Sequence, residues 1–588
     1  MMNAIAATSG DFRLGAWRAM KLTERLSEGV RTALAAAGLP DAADCQWEVP
    51  RQSDHGDYAT NTAMVLARAA RRPPRQIAEL IVRHFPRLPE VDRLEIAGPG
   101  FLNVFLSPAW CAEALREILA AGADYGRGSG ERGRGLRLEF VSANPTGPLV
   151  IVNARAAAIG DALARLLRSQ GAAVTTEYYI NDAGTQFEAL AASFEARVRQ
   201  ELGESVALPE KGYPGEYLID LAREFVREQG ITSPDALRTW TAQQALAEAD
   251  PTTALGRYAV ARIVEGQRRV LADYGVEFDR WSSEQHDVRD LKLADQVVKE
   301  LEARDRDLTF DEGGALWFRS TRFGDDKDRV LRRSNGELTY FAVDVAFYHL
   351  VKFAEADAVV TLLGPDHHGY VARMRAAMQA LGHPADAVDI LIVQLVNLLR
   401  DGQPVRMSKR RGEFVLMEEL LEEVGRDAAR FTFLMRRHDS PLDFDLALAT
   451  RQSAENPVYY VQYAHARVRS IWRQLAEQGI EVPSWSEVPL TALVLPEELA
   501  IVKKLVEYPA LVAGAAKALE PHRIAYWLNE LAGLFHPYYK AHRVIQPDRD
   551  LVFARLALCT AVADVSRSGL GLLGVSAPEA MTREPETG

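Results

Sequence analysis

The stretch Glu139-Phe140-Val141-Ser142-Ala143-Asn144-Pro145-Thr146-Gly147-Pro148-Leu149 gathers a carboxylate, an amide, hydroxyls and a Gly-Pro pair between a strand-like run (136–141) and a helical pattern (154–168). A turn at the C-terminal end of a parallel strand presents unpaired N–H groups and the positive end of a helix, the arrangement by which α/β sheets take nucleotides. An ordinary connecting loop is the competing reading. A second segment, Arg406-Met407-Ser408-Lys409-Arg410-Arg411-Gly412-Glu413-Phe414, follows the turn Asp401-Gly402-Gln403-Pro404 and places four cations in six residues. Such a loop suits a clamp on a polyphosphate whose charge grows in a transition state. A solvated basic surface or an RNA-facing patch would read the same way.

The elements that must position these segments follow from periodicity. Residues 136–141, 154–168 and 174–180 read as strand, helix and strand, a parallel βαβ unit. A long, mostly helical stretch (187–274) follows, then strand-like runs at 308–318 and 330–341. The α/β style resumes with a strand at 358–363, a helix after Tyr370 and a buried run at 388–396. From Met417 onward nearly everything is helical. Ahead of all this, helical patterns at 22–38, 61–70 and 77–85 and alternating runs at 94–97 and 101–106 predict a small α/β domain, and the Gly-rich basic stretch YGRGSGERGRG (125–135) reads as a linker.

At 588 residues the chain should hold several domains. Apolar residues make up 48% and charged residues 26%, which excludes disorder or collagen as the dominant state. The net charge of −12 (69 basic against 81 acidic residues) excludes a nonspecific coat for nucleic acid, so any such contact must use local basic patches. Cys45, Cys111 and Cys559 are far apart, so neither a disulfide framework nor a Cys-rich zinc site can be drawn. The sequence predicts a soluble, cytoplasmic protein without a membrane span, and an irregular extension before Met20.

Together the two segments resemble the signatures of class I aminoacyl-tRNA synthetases, and nearly the whole chain resembles the arginyl-tRNA synthetase family. HGDYATN (55–61) and AGPGFLN (97–103) are similar to its N-terminal domain. SANPTGPL (142–149), YYINDAGTQ (178–186), YPGEYL (213–218), GVEFDRWSSE (275–284), TYFAVD (339–344), GPDHHGY (364–370) and RMSKRRGEF (406–414) are similar to its catalytic domain. DFDLALATRQSAENPVYYVQYAHAR (443–467) and GVSAPEAM (574–581) resemble its anticodon-binding domain. The resemblance implies a multidomain α/β protein: an extension (1–19), an N-terminal tRNA-contacting α/β domain (20–125), a Rossmann-type parallel-sheet catalytic domain (135–440) with helical insertions at about 187–330, and an all-α anticodon-binding bundle (441–588).

The implied activity is ligation of arginine to its tRNA through an arginyl-adenylate made from ATP, with a noncatalytic tRNA-binding or regulatory paralogue as the alternative. ATP would be a substrate brought with Mg2+, held mainly by its phosphates, with no zinc; the partners would be tRNA(Arg), arginine and ATP, the chain a monomer. By the resemblance, Lys409 and Arg406 act on the phosphates, while Thr146, Gly147, Leu149, Val150, Val152, Asn153, His367, His368, Met407 and Ser408 complete the ATP site. Glu139, Asn144, Tyr340 and Asp344 would hold arginine, and Tyr340 and Asp344, four apart, could share one helix face. Tyr459, Tyr463 and Arg467 lie on one face of an expected helix, where they could stack anticodon bases or pack the bundle; Tyr58 and Asn61 could touch the tRNA elbow. One departure stands out. Where the family shows His-x-Gly-His, this chain has Val150-Ile151-Val152-Asn153, so two imidazole donors are missing and β-branched Val152 replaces a glycine. Asn153 either caps the following helix or offers an N–H donor to a phosphate.

Overall fold

The computed structural model describes residues 14–42, 45–50, 55–245, 251–305, 307–405 and 415–581. The expected extension (1–19) falls largely outside them. From Leu14 the backbone is already helical, in a helix Leu14–Ala36 that begins before the Met20 at which the sequence pattern opened. A three-stranded antiparallel sheet, ordered Tyr58–Thr60, Phe101–Leu106, Val91–Ala97, follows. Leu102 of its middle strand packs with Ile77 and Ile81 of the helix Pro74–His84.

The Gly-rich stretch 125–135 is a docked segment, not the free linker its composition suggested. The Gly128 and Glu131 N–H groups donate to the Ser169 and Gln170 carbonyls, each at 3.0 Å, and Gln170 Nε2 donates to Gly126 O at 3.1 Å. A Cβ on Gly128 would lie 2.2 Å from the Gln170 side chain, so glycine here serves close approach.

Five parallel strands form the central sheet: β1 (Gly135–Glu139), β2 (Ala173–Ile180), β3 (Arg280–Ser283), β4 (Ala358–Leu363) and β5 (Val388–Ile392), in the order β5-β4-β1-β2-β3. The chain builds outward from β1 to β3, then crosses back to lay β4 against the other side of β1. The order reverses between β1 and β4, and the crevice at their C-terminal ends is where a doubly wound sheet takes ligands. Helix α1 (Ile151–Ser169) returns from β1 to β2 and seats closely: a Cβ on Gly160 would fall 2.1 Å from the Phe140 ring.

Two expected strands are shorter than their apolar runs. The run 330–341 ends as a strand at Arg332, because the Thr339 hydroxyl accepts the Ala342 N–H at 3.4 Å and starts helix α2 (Tyr340–Ala346). The run 388–396 divides into β5 and a separate strand, Val396–Arg400, that pairs in parallel with Leu442–Asp445. Helix α3 (Tyr370–Ala380) links β4 to β5.

Between β2 and β3 the helices Thr185–Glu201, Tyr217–Glu228, Pro234–Ala245 and Pro251–Asp273 form an insertion whose own core includes Leu190, Phe194, Phe225 and Leu255. The C-terminal bundle contains α4 (Pro457–Glu477), Pro496–Val506, Tyr508–Ala518, α5 (His522–Ala541) and α6 (Arg549–Leu572). It is tied to the N-terminal domain by Lys503 to Asp57 at 2.7 Å. Among the described residues no helix is long and apolar enough to cross a membrane.

One buried cation joins bundle and sheet. Arg430 is fully buried and pairs with Asp161 of α1, while its other donors reach Leu573 O at 3.0 Å and Tyr274 O at 3.2 Å. Arg430→Met takes this donor from the Leu573 and Tyr274 carbonyls and leaves Asp161 only Arg165, 2.7 Å away, so it should destabilise the chain by about 2–4 kcal/mol. Arg333→Ala, which breaks an open-surface pair with Glu337 3.7 Å away, should cost no more than about 0.5 kcal/mol. Urea melts of both variants check this, and equal midpoints would show that the junction does not hold the fold.

Candidate active site

The loop after β1 is strained where it leaves the strand. Val141 has φ +67° and Ser142 φ +38°, a left-handed conformation that a β-branched residue adopts only under tertiary constraint. The constraint is visible: the Ser142 hydroxyl donates to Glu139 Oε1 at 2.8 Å and accepts the Tyr179 N–H at 3.1 Å. From the other side the helical insertion grips the loop. Buried Gln267 donates to Gly147 O at 2.9 Å and accepts from the Tyr178 hydroxyl at 2.8 Å, and the Tyr217 hydroxyl donates to Thr146 O.

The same loop meets the far end of the basic segment. Met417 N–H donates to Leu149 O at 2.9 Å, Ile151 N–H donates to Val415 O at 3.1 Å, and Val150 pairs with Leu416 in an antiparallel bridge. Residues 406–414 lie outside the described residues, and with them Arg406, Met407, Ser408 and Lys409. The chain resumes at Val415 hydrogen-bonded to the start of α1.

Of the nucleotide residues, Thr146 and Gly147 carry the carbonyls just described, and Val150 and Val152 are half-buried. The Leu149 side chain is buried in the core and its carbonyl accepts from Met417. Asn153 is the third residue of α1 rather than its cap, because the helix starts at Ile151. Its Oδ1 accepts the Val150 N–H at 2.9 Å, satisfying a donor that the helix end leaves free. His367 and His368 are exposed in the turn that follows β4.

Behind the loop the carboxylates gather. Glu139 is 6% exposed and pairs with Lys352, which is fully buried. The Lys352 ammonium also donates to Thr361 Oγ1 at 3.3 Å and lies 3.7 Å from the centre of the Tyr348 ring. Burial alone would lower this ammonium's pKa, but Glu139, Tyr348 and Glu177 outweigh burial and raise it. Asp344 on α2 accepts a hydrogen bond from Tyr370, and burial, reinforced by Glu284 and Glu139, pushes its carboxyl up to about 7. Glu284 receives the Tyr179 hydroxyl at 3.0 Å and Arg289 Nε at 2.7 Å. Tyr340, 46% exposed, sits so close to Gly184 that a Cβ there would lie 2.5 Å from its hydroxyl. Asn144 is exposed on the loop, 3.4 Å from Asn181 Nδ2. The structure thus brings Glu139 and Asp344 together, with Tyr340 and Asn144 at the rim. Asp344, held by a phenol where its neighbours have cations, suits a cationic ligand.

Sequence reasoning missed Glu284, Lys352 and Gln267. A lone lysine in the apolar run FYHLVKF was a readable signal for a buried partner, since lysine enters a core only when paired.

On the bundle, Tyr459 is 7% exposed and stacks on Tyr463, which corrects its place among the RNA contacts: it packs the core and has little face to offer. Tyr463 and Arg467 remain half-buried, the guanidinium 4.4 Å over the Tyr463 ring and 5.0 Å from that of Tyr539, with one N–H on His536 at 2.8 Å. Tyr58 is half-buried, packed against the core near Glu507, and burial pushes its hydroxyl up to about 12. Asn61 is exposed at the start of the helix Thr62–Ala70.

Three family models match the chain: "Arginyl tRNA synthetase N terminal domain" over residues 24–106, "tRNA synthetases class I (R), catalytic domain" over 114–440, and "DALR anticodon binding domain" over 461–581. An arginine–tRNA ligase of Symbiobacterium thermophilum is 46% identical over 96% of this chain and 100% of its own length. One of Syntrophotalea carbinolica is 49% identical over 91% of this chain and 94% of its own. The solved arginyl-tRNA synthetase of Thermus thermophilus superposes with a TM-score of 0.71 at 25% identity, covering 95% of this chain and 100% of that one.

The bond seen for Asn153 uses its Oδ1. As an acceptor for Val150 N–H, Asn153→Ala should cost about 1 kcal/mol, whereas Asn153→Asp should melt at or above the parent, since a carboxylate accepts the same bond at a helix N-terminus. Thermal melts of the pair check it; an aspartate variant as unstable as the alanine variant would show that the amide N–H is the group in use.

Proposed function

Because the chain belongs to the arginyl-tRNA synthetase family, we propose that it attaches arginine to its tRNA through an arginyl-adenylate made from ATP. The observation that carries this reading is one crevice, at the reversal of strand order, flanked by the loop after β1, the segment emerging from the basic loop and the acidic cluster of Glu139, Asp344 and Glu284. Arginine's two cationic ends find carboxylates there, with Tyr340 and Asn144 closing the rim. The arginine carboxylate attacks the α-phosphorus of ATP and expels pyrophosphate; the terminal ribose of the tRNA then takes the acyl group and AMP leaves.

On this reading Lys409 and Arg406 neutralise charge on the phosphates as pyrophosphate departs. Mg2+ enters with ATP; among the described residues no group of three or more His, Cys, Asp or Glu is placed to hold a metal ion, so its ligands would come mainly from phosphate oxygens. His367 and His368 contact the nucleotide. Tyr463 and Arg467, with their aromatic neighbours, and exposed Asn61 meet the tRNA. The working units are 20–125, 135–440 and 441–588, in a cytoplasmic monomer; the insertion expected at about 187–330 narrows to the helices between β2 and β3, because Arg280–Ser283 belongs to the sheet.

The direct test is aminoacylation with tRNA(Arg), together with ATP–pyrophosphate exchange with and without that tRNA. A chain that binds the tRNA yet performs neither reaction would be the noncatalytic paralogue instead. Two further outcomes follow. Lys409→Ala should raise the adenylation barrier by about 2–4 kcal/mol while leaving the arginine KM nearly unchanged, as expected for a contact made mainly in the transition state. The second concerns pH. Asp344 is protonated below about 7 in the free protein, and a guanidinium needs the ionised form, so the arginine KM should rise as pH falls through about 7 and level off above it. A KM that is flat from about pH 6 to 8 would remove Asp344 from arginine binding.

A further inference from the structure

Lys352 lies outside every motif that carries the family resemblance, yet it is the cation on which Glu139 rests. Its ammonium is fully buried and bonded to one Glu139 oxygen, Oε2, while the Ser142 hydroxyl takes the other, Oε1, at 2.8 Å. Ser142 is itself held at φ +38° and fixed by the Tyr179 N–H. The orientation of Glu139 is therefore set from two sides before any ligand arrives. Stability does not account for the pair, because a buried ion pair contributes little net stability and a well-packed apolar pair often serves as well.

We propose that Lys352 is a positioning residue for the amino-acid substrate: its ammonium fixes the Glu139 carboxylate in place and keeps it charged, so that one cationic end of arginine meets a preset acceptor. The proposal rests on the arginine-charging reading. The groups that face this pair are Glu177 from β2, with Arg137 beside it; Glu284 at the end of β3, with Arg289; Asp344 and Tyr348 from the segment that carries Lys352 itself; and Tyr370 from α3. Four carboxylates share this space. Without the Lys352 charge the Glu139 carboxylate loses its fixed partner, and Glu177 and Asp344 beside it, both held down by Lys352, would bind protons more readily; a neutral acid attracts a cation poorly.

The test uses the full chain with tRNA(Arg) and saturating ATP, and reads arginine KM and kcat against pH for the parent, Lys352→Met and Lys352→Arg. Lys352→Met should raise the arginine KM by about 10- to 100-fold at neutral pH, with a smaller change in kcat. That ratio to the parent should relax as the pH is raised to about 9, where the carboxylates that Lys352 holds down, Glu177 and Asp344 among them, ionise without it. Lys352 also holds the Asp344 carboxyl down, so the ratio reads the loss of the Lys352 charge from Asp344 as well as from Glu139. Lys352→Arg should restore a pH-independent ratio even if its melting temperature falls. Should Lys352→Met fail to fold, Lys352→Gln, which keeps a donor to Glu139 without the charge, should give the same profile. An arginine KM at or below the parent's, or a raised KM that does not relax with pH, would overturn the proposal. A parent that charges no tRNA would overturn the arginine-charging reading instead.

Discussion

Repulsion among four carboxylates at the C-terminal edge of one sheet is the constraint around which this chain is arranged. Glu139, Glu177, Glu284 and Asp344 lie near enough to perturb one another, and all are buried or nearly so. Like charges at low dielectric cannot all remain ionised unless cations join them. The fold supplies Lys352 for Glu139, Arg137 and Arg280 for Glu177, and Arg289 for Glu284. Asp344 alone has a phenol, Tyr370, where its neighbours have a cation, and its carboxyl is the one pushed up to about 7. Asp344 is thus the carboxylate of the four that has no cation of its own.

The departure at Val150-Ile151-Val152-Asn153 looks different against this arrangement. The loop keeps its shape through the backbone: a short ladder with residues 415–417, Asn153 on the Val150 N–H, and a buried Ile151 side chain. None of these interactions needs an imidazole. The missing histidines therefore leave the turn, and its ladder to the exit of the basic segment, in place. The ladder couples the two, since any shift of the basic loop's exit at Val415 is felt by the first residue of α1.

Much of this was legible in the sequence, and what was not has a physical reason. The strand at 358–363 was readable because a central parallel strand is an unbroken apolar run. Tyr340 and Asp344 could be put on one helix because their spacing is local. Lys352 and Glu139 are 213 residues apart, and Gln267 and Gly147 are 120 apart, so no local pattern links them. The stretch 125–135 misled for the opposite reason. Its composition reports freedom, but a glycine selected for close approach and one selected for flexibility are the same letter. Tyr459, Tyr463 and Arg467 show the limit of face arguments: the helix carries all three along one stripe, yet the neighbouring helices bury the first and leave the others partly open.

The placement of Lys352 depends on an irregularity that no pattern announced. Asp344 and Lys352 are eight residues apart, roughly 2.2 turns of a regular α-helix, which would turn their side chains about 80° away from each other. The segment is not regular. Helix α2 ends at Ala346 and continues as a π-helix over Phe347–Lys352. A π turn closes with i→i+5 bonds and so holds more residues, which brings a later residue back towards the face from which the turn began. Both Asp344 and Lys352 then look onto the end of β1, the acid from the pocket wall and the base from beneath it. A π turn has poorer geometry than the α-helix it interrupts, and such turns persist where a side chain must be re-aimed. Here the re-aimed group is the cation that allows Glu139 to stay charged in the core.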